Sequence, residues 1–297
     1  MLHEFALDPA VLDNWDSFRF FMGNFGISKG RLISEFPNKW KKLVYEACSG
    51  CGEIEKKRIE ESLAEIRSKL IRSNRIYNGK VGWLINAEQQ HLLSPFHAII
   101  AKNNPNRIKH VLFAEEINND TPHPLWDIKK EECVARKASV LGRYVAPLLK
   151  ISSEIIFVDP HFNPNLSRFR NTLAEFLNSI VRNNKIRRIE FHLGDKLGRD
   201  YFEKECREHI PGMLSRNQVI TFIRWREMEC GDDLHPRYVF TERGGIRIER
   251  GLDEGDDGKT TDVSLLEASL YNRRWKDYQR DTSPFDFVDE LKIIGTL

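Results

Sequence analysis

The sequence has little of several features that mark other classes of protein. Its 297 residues include only five cysteines, an odd and scattered set that excludes a disulfide scaffold and predicts a reducing, cytoplasmic compartment. No apolar run approaches the roughly 18 residues of a membrane-spanning helix. The start of the chain lacks the basic region and apolar stretch of a signal peptide. Lys and Arg total 46 against 44 for Asp and Glu, which excludes a strongly basic, histone-like binder.

The remaining composition is that of a folded globular protein. Hydrophobic residues make up 40% of the chain and charged residues 30%, a balance unlike that of disordered proteins. The length suits one large domain or two domains of ordinary size. The hydrophobic pattern changes near residue 150, so we predict two domains, 1–149 and 150–297.

Residues 1–149 are predicted to form a mostly helical domain. The clearest helix is 53–73, where apolar residues recur at intervals of four, three and four positions and the opposite face is charged. A second helix is predicted at 129–150, and the apolar runs 97–101 and 110–114 predict two short strands. The role of this domain is not indicated by its sequence, and its helices are a candidate surface for a protein partner.

The second domain alternates between strand and helix patterns. Strands are predicted at 155–158, 186–193, 219–224, 237–241 and 246–249, and helices at 166–180, near 199–209, at 262–279 and at 284–294. The last helix is predicted because Ser283 and Pro284 suit a helix cap and its first turn. Strands that alternate with helices imply an α/β fold with a mainly parallel or mixed sheet, closed by C-terminal helices.

The segment 234–245, LHPRYVFTERGG, carries the most informative chemistry. His235, Arg237 and Glu242 stand at positions 0, +2 and +7 of this pattern. Residues two apart on a strand share a face, so the imidazole and the guanidinium point the same way. Such a pair suits a phosphate, because Arg grips the oxygens bidentately while His attacks phosphorus or donates a proton.

This spacing resembles the signature of the phospholipase D superfamily, H-x-K-x4-D followed by small residues. The sequence reads H-x-R-x4-E followed by Gly244 and Gly245, whose small size lets a backbone approach phosphate. Residues 150–260 are also similar to the phospholipase D-like C-terminal domain attached to microtubule-interacting and trafficking domains. The resemblance implies His235 as nucleophile or acid, Arg237 as phosphate clamp, and Glu242 as the group that orients one of them.

The resemblance also implies a mechanism and a partner. The family uses two copies of the signature, forms a phosphohistidine and needs no metal or other cofactor. Because this chain has one copy, the resemblance implies a homodimer that places His235 beside its symmetry mate. The expected function is a phosphodiester-handling protein, either a metal-independent nuclease or phosphodiesterase of a prokaryotic defence or mobile-element system, or a degenerate module. Such a module would bind either phosphate groups, of nucleic acid or of a lipid head group, or a protein partner. The Arg and Glu replacements are compatible with both an enzyme and such a module.

Other residues are weaker candidates for the phosphate site. Asp159 and His161 follow a predicted strand, at the edge where open α/β sheets bind ligands, although Asp159 equally suits a helix cap. Arg224 lies in an Arg-Trp-Arg cluster that suits phosphate or base stacking, or simple packing of the Trp. The basic run 185–188 is a candidate contact for a nucleic-acid backbone.

A pair of cysteines, Cys48 and Cys51, has the C-x-x-C spacing of some zinc and redox sites. A structural zinc site needs two more ligands, usually as a second close pair, and Cys133, Cys206 and Cys230 are scattered. We therefore predict ordinary thiols and no metal site.

Overall fold

A computed structural model describes residues 1–118, 120–180, 186–229 and 231–297. The chain divides into two compact units, Leu2–Lys130 and Glu131–Leu297, the second of which includes Met1. The division follows Lys130 rather than residue 150, because the residues directly after it belong to the sheet of the second unit. Lys185 of the basic run and Cys230 lie outside the described residues. Within the described ranges, no helix is both long enough and apolar enough to cross a membrane.

The N-terminal unit is built on a parallel sheet. Its described strands are β1 (His3–Leu7), β2 (Arg31–Glu35), β3 (Leu70–Arg72), β4 (Ala98–Ala101) and β5 (Val111–Phe113), and its helices are α1 (Trp15–Asn24), α2 (Trp40–Ala47), α3 (Glu53–Glu65) and α4 (Trp83–Leu93). The strand order is β3-β2-β1-β4-β5, and all four neighbouring pairs are parallel.

The N-terminal unit thus combines its four helices with a parallel sheet, which the prediction of a mostly helical domain did not include. The structure contains the two predicted strands as β4 and β5, and three further strands that the sequence pattern did not indicate. These strands have three to five residues, and β2 is buried along most of its length. Short strands buried on both faces show no alternation of polar and apolar residues, so their periodicity does not distinguish them from helix. The range 53–73, predicted as one helix, is divided in the structure into α3, a 3-10 turn and β3.

The C-terminal unit is built on a mixed sheet. Its described strands are β6 (Glu131–Ala135), β7 (Glu154–Val158), β8 (Arg188–Gly194), β9 (Val219–Arg226), β10 (Tyr238–Thr241), β11 (Gly244–Ile248), β12 (Thr260–Leu265) and β13 (Asp286–Ile294), and its helices are α5 (Ala138–Leu149), α6 (Ser167–Asn178), α7 (Arg199–His209) and α8 (Ala268–Asp277). The strand order is β13-β9-β8-β7-β10-β11-β12-β6. The predicted α/β fold class is confirmed.

Strand direction reverses between β7 and β10. Strands β7, β8 and β9 are parallel, whereas β10 runs antiparallel to β7, with Tyr238 opposite Val158. The residues that precede β10 therefore lie at the same sheet edge as the residues that follow β7. Continuing the register by one position sets Arg237 opposite Asp159.

The predicted closing helices are only partly present. The range 262–279 contains the end of β12 and then α8, and the range 284–294 contains β13, so the second helix is wrong. Strand β13 pairs antiparallel with β9, which gives that neighbour a hydrogen-bonded partner along its whole length. A Ser-Pro pair suits a turn before a strand as well as a helix start, and this choice depends on the tertiary partner. The predicted helix 129–150 is likewise divided into β6 and α5.

Candidate functional site

Four of the candidate residues from the sequence meet at the edge where β7 ends and β10 begins. We refer to Asp159, His161, His235 and Arg237 as the edge site. Each histidine follows or precedes a buried apolar residue: Phe162 is 2% exposed and Leu234 is 5% exposed, whereas both imidazoles are exposed. Burying such a side chain contributes about 1.5–3 kcal/mol, so these neighbours anchor the two segments that carry the imidazoles.

Arg237 and His235 are in direct contact. The Arg237 Nη1 donates a hydrogen bond to the His235 Nδ1 at 2.9 Å. A guanidinium has no acceptor, so the Nδ1 must present its lone pair and the proton of the neutral ring lies on Nε2. The Nε of Arg237 is buried and has no hydrogen-bond partner within the described residues. A buried donor without an acceptor costs about 1–3 kcal/mol, and an anion removes that cost only if the guanidinium turns to bring this nitrogen to it.

His161 faces His235 across the edge site. The two ring centroids are 6.5 Å apart, and the rings meet edge to face at 73°. Partial removal from water lowers the pKa of His161 below its ordinary value, against the attraction of Asp159, and the cations Arg237 and Lys196 lower it further. His161 therefore favours the neutral ring while the site is empty of anions.

Asp159 is the buried carboxylate of the site, at 1% exposure. Its Oδ1 accepts a hydrogen bond from the His161 N at 2.9 Å, and its Oδ2 accepts one from the Leu252 N at 2.7 Å. Burial raises the pKa of Asp159, although these two donors and Arg237 oppose the shift. The carboxylate fixes two loops, and because α6 starts later, at Ser167, the helix-cap interpretation is wrong.

A second buried carboxylate, Asp253, supports the same loop and was missed in the sequence. It is 2% exposed and forms ion pairs with Arg136 and, at 3.2 Å, with Arg168. Gly251 has a φ of +139°, and a Cβ there would lie 2.5 Å from the Asp253 Oδ1 and 3.3 Å from the Asp159 Oδ2. The glycine is therefore required for the close approach of these groups. The sequence feature that could have indicated this loop is the glycine followed by acidic residues in GLDEGDDG, residues 251–258.

An open, polar groove begins beside this loop. Its volume is about 610 Å³, and its lining includes the exposed cations Arg168, Arg250 and Lys259 together with the acids Glu254 and Asp256. Cations on an open surface suit an extended polyanion better than a small enclosed ligand.

Glu242 lies at the opposite end of β10 from His235. Its carboxylate accepts hydrogen bonds from the Ser153 N at 2.9 Å and the Glu154 N at 3.0 Å. It therefore ties the β10–β11 turn to the start of β7, and the structure does not support the expectation that it orients His235 or Arg237.

The two glycines after the signature lie in β11, also away from the edge site. Gly244 pairs with Thr241 and Gly245 pairs with Phe240. A Cβ on Gly245 would lie 2.7 Å from the Phe240 Cδ1 and 2.9 Å from the Leu266 Cδ1. The absent side chain makes room for hairpin packing, so the expected phosphate contact is not supported.

Arg224 is committed to other protein groups. At 5% exposure it makes a bidentate contact with Asp289, at 2.8 and 2.7 Å, and donates to the Leu197 O at 2.6 Å. The neighbouring Trp225 donates to the buried His192 at 2.9 Å. The cluster is part of the packing, and the expected phosphate role of Arg224 is not supported.

The thiols of Cys48 and Cys51 both donate hydrogen bonds to backbone carbonyls. The Cys48 thiol donates to the Leu12 O at 2.9 Å and the Cys51 thiol to the Asp13 O at 3.3 Å. Burial, with the neighbouring Cys51, raises the pKa of Cys48 to about 12, so its thiolate is disfavoured. Elsewhere in the described ranges, ligand atoms of Glu205, Glu208 and His209 all lie within 4.8 Å of one another, although only Glu208 is exposed and Glu205 is buried.

Comparison with known proteins adds no family assignment. No protein-family model matches this chain, and no curated protein matches it.

Proposed function

We propose that the C-terminal unit binds phosphate groups of nucleic acid at the edge site. The observation that carries this proposal is the convergence of Arg237, His235 and His161 at one sheet edge, where both imidazoles are exposed. Guanidinium and imidazole donors are the usual partners of phosphate oxygens. The resemblance of the His-x-Arg pattern to the phospholipase D signature supports the same ligand.

The contact between Arg237 and His235 supports binding over a phosphohistidine mechanism. In the neutral ring, Nδ1 accepts from Arg237 and Nε2 carries the proton. Neither nitrogen then offers a free lone pair for attack on phosphorus. The Nε2–H group is instead a hydrogen-bond donor suited to a phosphate oxygen.

The groove supports nucleic acid rather than a single head group as the ligand. The groove is lined by Arg168, Arg250 and Lys259. The loop between the groove and the edge site is held by the Leu252 N, which donates a hydrogen bond to Asp159. Cations spaced along an open surface match the repeated charges of a polynucleotide backbone. A lipid head group would need the edge site alone.

The first test measures binding of labelled single- and double-stranded DNA and RNA to the full chain in excess EDTA. Hydrogen bonds to charged groups contribute about 1.5–3 kcal/mol, so we expect Arg237→Gln to weaken binding roughly ten- to hundredfold. Arg280→Gln is the matched control, because Arg280 is half exposed and pairs with Glu290. Equal affinity for wild type and Arg237→Gln would refute the proposal.

Hydrolysis is the second candidate function, favoured by the presence of two imidazoles, His161 and His235, in one site. The same samples are analysed for cleavage products. Cleavage by wild type that His235→Ala abolishes would establish a metal-independent phosphodiesterase. Sedimentation of the active species then tests the predicted homodimer, since cleavage by a monomer would exclude a site shared by two copies.

A further inference from the structure

We infer that His161 is a second phosphate ligand of the edge site, supplied by the same chain, and the group that makes phosphate binding depend on pH. This inference rests on the proposed function. The inference adds to the proposed function because the phospholipase D resemblance provides a second imidazole only from a second copy of the signature.

The geometry allows the two imidazoles to hold one anion. His161 follows β7 and His235 precedes β10, so they approach the site from different segments, with ring centroids 6.5 Å apart. An N–H···O bond spans about 2.9 Å between heavy atoms, so donors from two rings at this separation reach oxygens of one tetrahedral group. Their anchors, Phe162 and Leu234, are buried, and the Phe162 ring lies 4.2 Å from that of Phe191.

The existing hydrogen bonds distinguish the two histidines as proton acceptors. The Nδ1 of His235 is occupied by the hydrogen bond from Arg237, whereas the ring nitrogens of His161 make no hydrogen bond within the described residues. His161 therefore gains a proton without losing a contact. Once protonated, it offers a charge-assisted donor to the phosphate.

The charges around His161 set the direction of the pH effect. Asp159 attracts a proton to the ring, while Arg237, Lys196 and His235 oppose it, and with partial burial the pKa lies below its ordinary value. A bound anion adds negative charge beside the ring and raises that pKa. Anion binding and proton uptake are then coupled, so affinity rises as pH falls through the higher pKa of the liganded ring, and it levels off below the lower pKa of the free ring.

The experiment uses a short thymidine oligonucleotide without terminal phosphates, whose charge stays constant over the range studied. Its affinity is measured at constant ionic strength between pH about 5.5 and pH about 8, which spans the titration of histidine. Uptake of one proton changes affinity at most about tenfold per pH unit. For wild type we expect affinity to increase by several fold to about tenfold across the range.

Two substitutions and a control isolate His161. In His161→Gln the pH dependence should disappear while binding at alkaline pH stays within about twofold of wild type. In His161→Arg the permanent charge should give tight binding at every pH. His209→Gln, on α7 and paired with Glu205, is the control and should behave like wild type.

The outcomes separate the inference from the proposed function. Full pH dependence in His161→Gln would overturn the inference and assign proton uptake to another group, such as the buried Asp159, while binding itself persists. Absence of oligonucleotide binding by wild type at every pH, or equal binding by Arg237→Gln, would instead remove the proposed function. Because His161 is exposed, circular dichroism should be unchanged in both variants.

Discussion

The two units are both α/β, yet their polar groups are arranged differently at the sheet edges. In the N-terminal unit, β1 and β4 end where the strand order reverses, the usual ligand-binding position of open α/β sheets. There Asp8 accepts from the Ala10 N at 3.0 Å, and Asp13 pairs with Lys102 at 2.5 Å. At the edge site of the C-terminal unit, by contrast, the Nε of Arg237 has no partner within the described residues; the N-terminal unit has its buried unpartnered atoms at other positions, on Ser34, His91, His97 and His110.

The comparison shows that strand direction, as well as fold class, determines which residues meet. In an all-parallel sheet every strand ends at one edge, and each following loop leads to its own crossover. In the mixed sheet β10 runs against β7, so residues that precede one strand join residues that follow another. This reversal brings Arg237 close to Asp159 and His161. The C-terminal unit is therefore the better candidate of the two for a ligand-binding site.

The largest expected effect tests whether paired polar groups serve stability alone. Replacing one partner of a buried ion pair costs about 3–5 kcal/mol, so Arg224→Met should destabilise the chain by that amount in urea unfolding. Arg224 holds the pKa of Asp289 below its ordinary value of 3.8. The pair therefore stabilises the fold above that pH, and its contribution is lost as pH falls through the lower, folded pKa.

Oligonucleotide affinity of folded Arg224→Met should equal that of wild type. A tenfold loss of affinity, comparable to that expected for Arg237→Gln, would restore Arg224 as a phosphate ligand and weaken the contrast between paired and unpaired groups.

A second prediction concerns the loop that supports the edge site. Gly251→Ala places a methyl group 2.5 Å from the Asp253 Oδ1 at a φ of +139°. Strain at such a position costs about 1–3 kcal/mol, and we expect weaker oligonucleotide binding as well as lower stability, because the adjacent Leu252 N donates to Asp159. Gly258→Ala is the control: its φ is +80°, but no atom lies within 4 Å of the added Cβ. Equal effects of the two substitutions would show that backbone strain alone, and no close packing, acts at Gly251.

The smallest effect concerns the groove. Arg250→Gln should reduce the slope of log affinity against log salt by about 0.7–0.9, with a similar loss for every sequence, because one phosphate contact is removed. Arg207→Gln, on α7 and paired with Glu203, should leave the slope unchanged. An unchanged slope for Arg250→Gln would confine binding to the edge site and favour a single head group over a polynucleotide.

Sequence patterns predicted the C-terminal unit better than the N-terminal one. Strands β7, β8 and β9 were predicted because longer apolar runs alternate there with amphipathic helices such as α6. Strands β1, β2 and β3 were missed because their few buried residues carry no period. Strand β13 was read as helix because its pairing with β9 is not encoded in its own pattern.

The site was predicted in part. The neighbourhood of His235 and Arg237 follows from their spacing, because residues two apart in extended chain share a face. The distance of Glu242, Gly244 and Gly245 from that pair could not be predicted, because a four-residue strand separates them and reverses into a hairpin.

By itself, the sequence determined the class of fold and the pairing of an imidazole with a guanidinium, since both depend on contacts local in the chain. Only the tertiary structure decided that His161 and Asp159 lie beside this imidazole and guanidinium. It also decided that Arg224 pairs with Asp289 and that Gly251 lies between two carboxylates. These outcomes depend on strand register and loop packing between distant segments. Many arrangements of comparable local propensity satisfy the same sequence pattern, and the packing of the whole unit selects one.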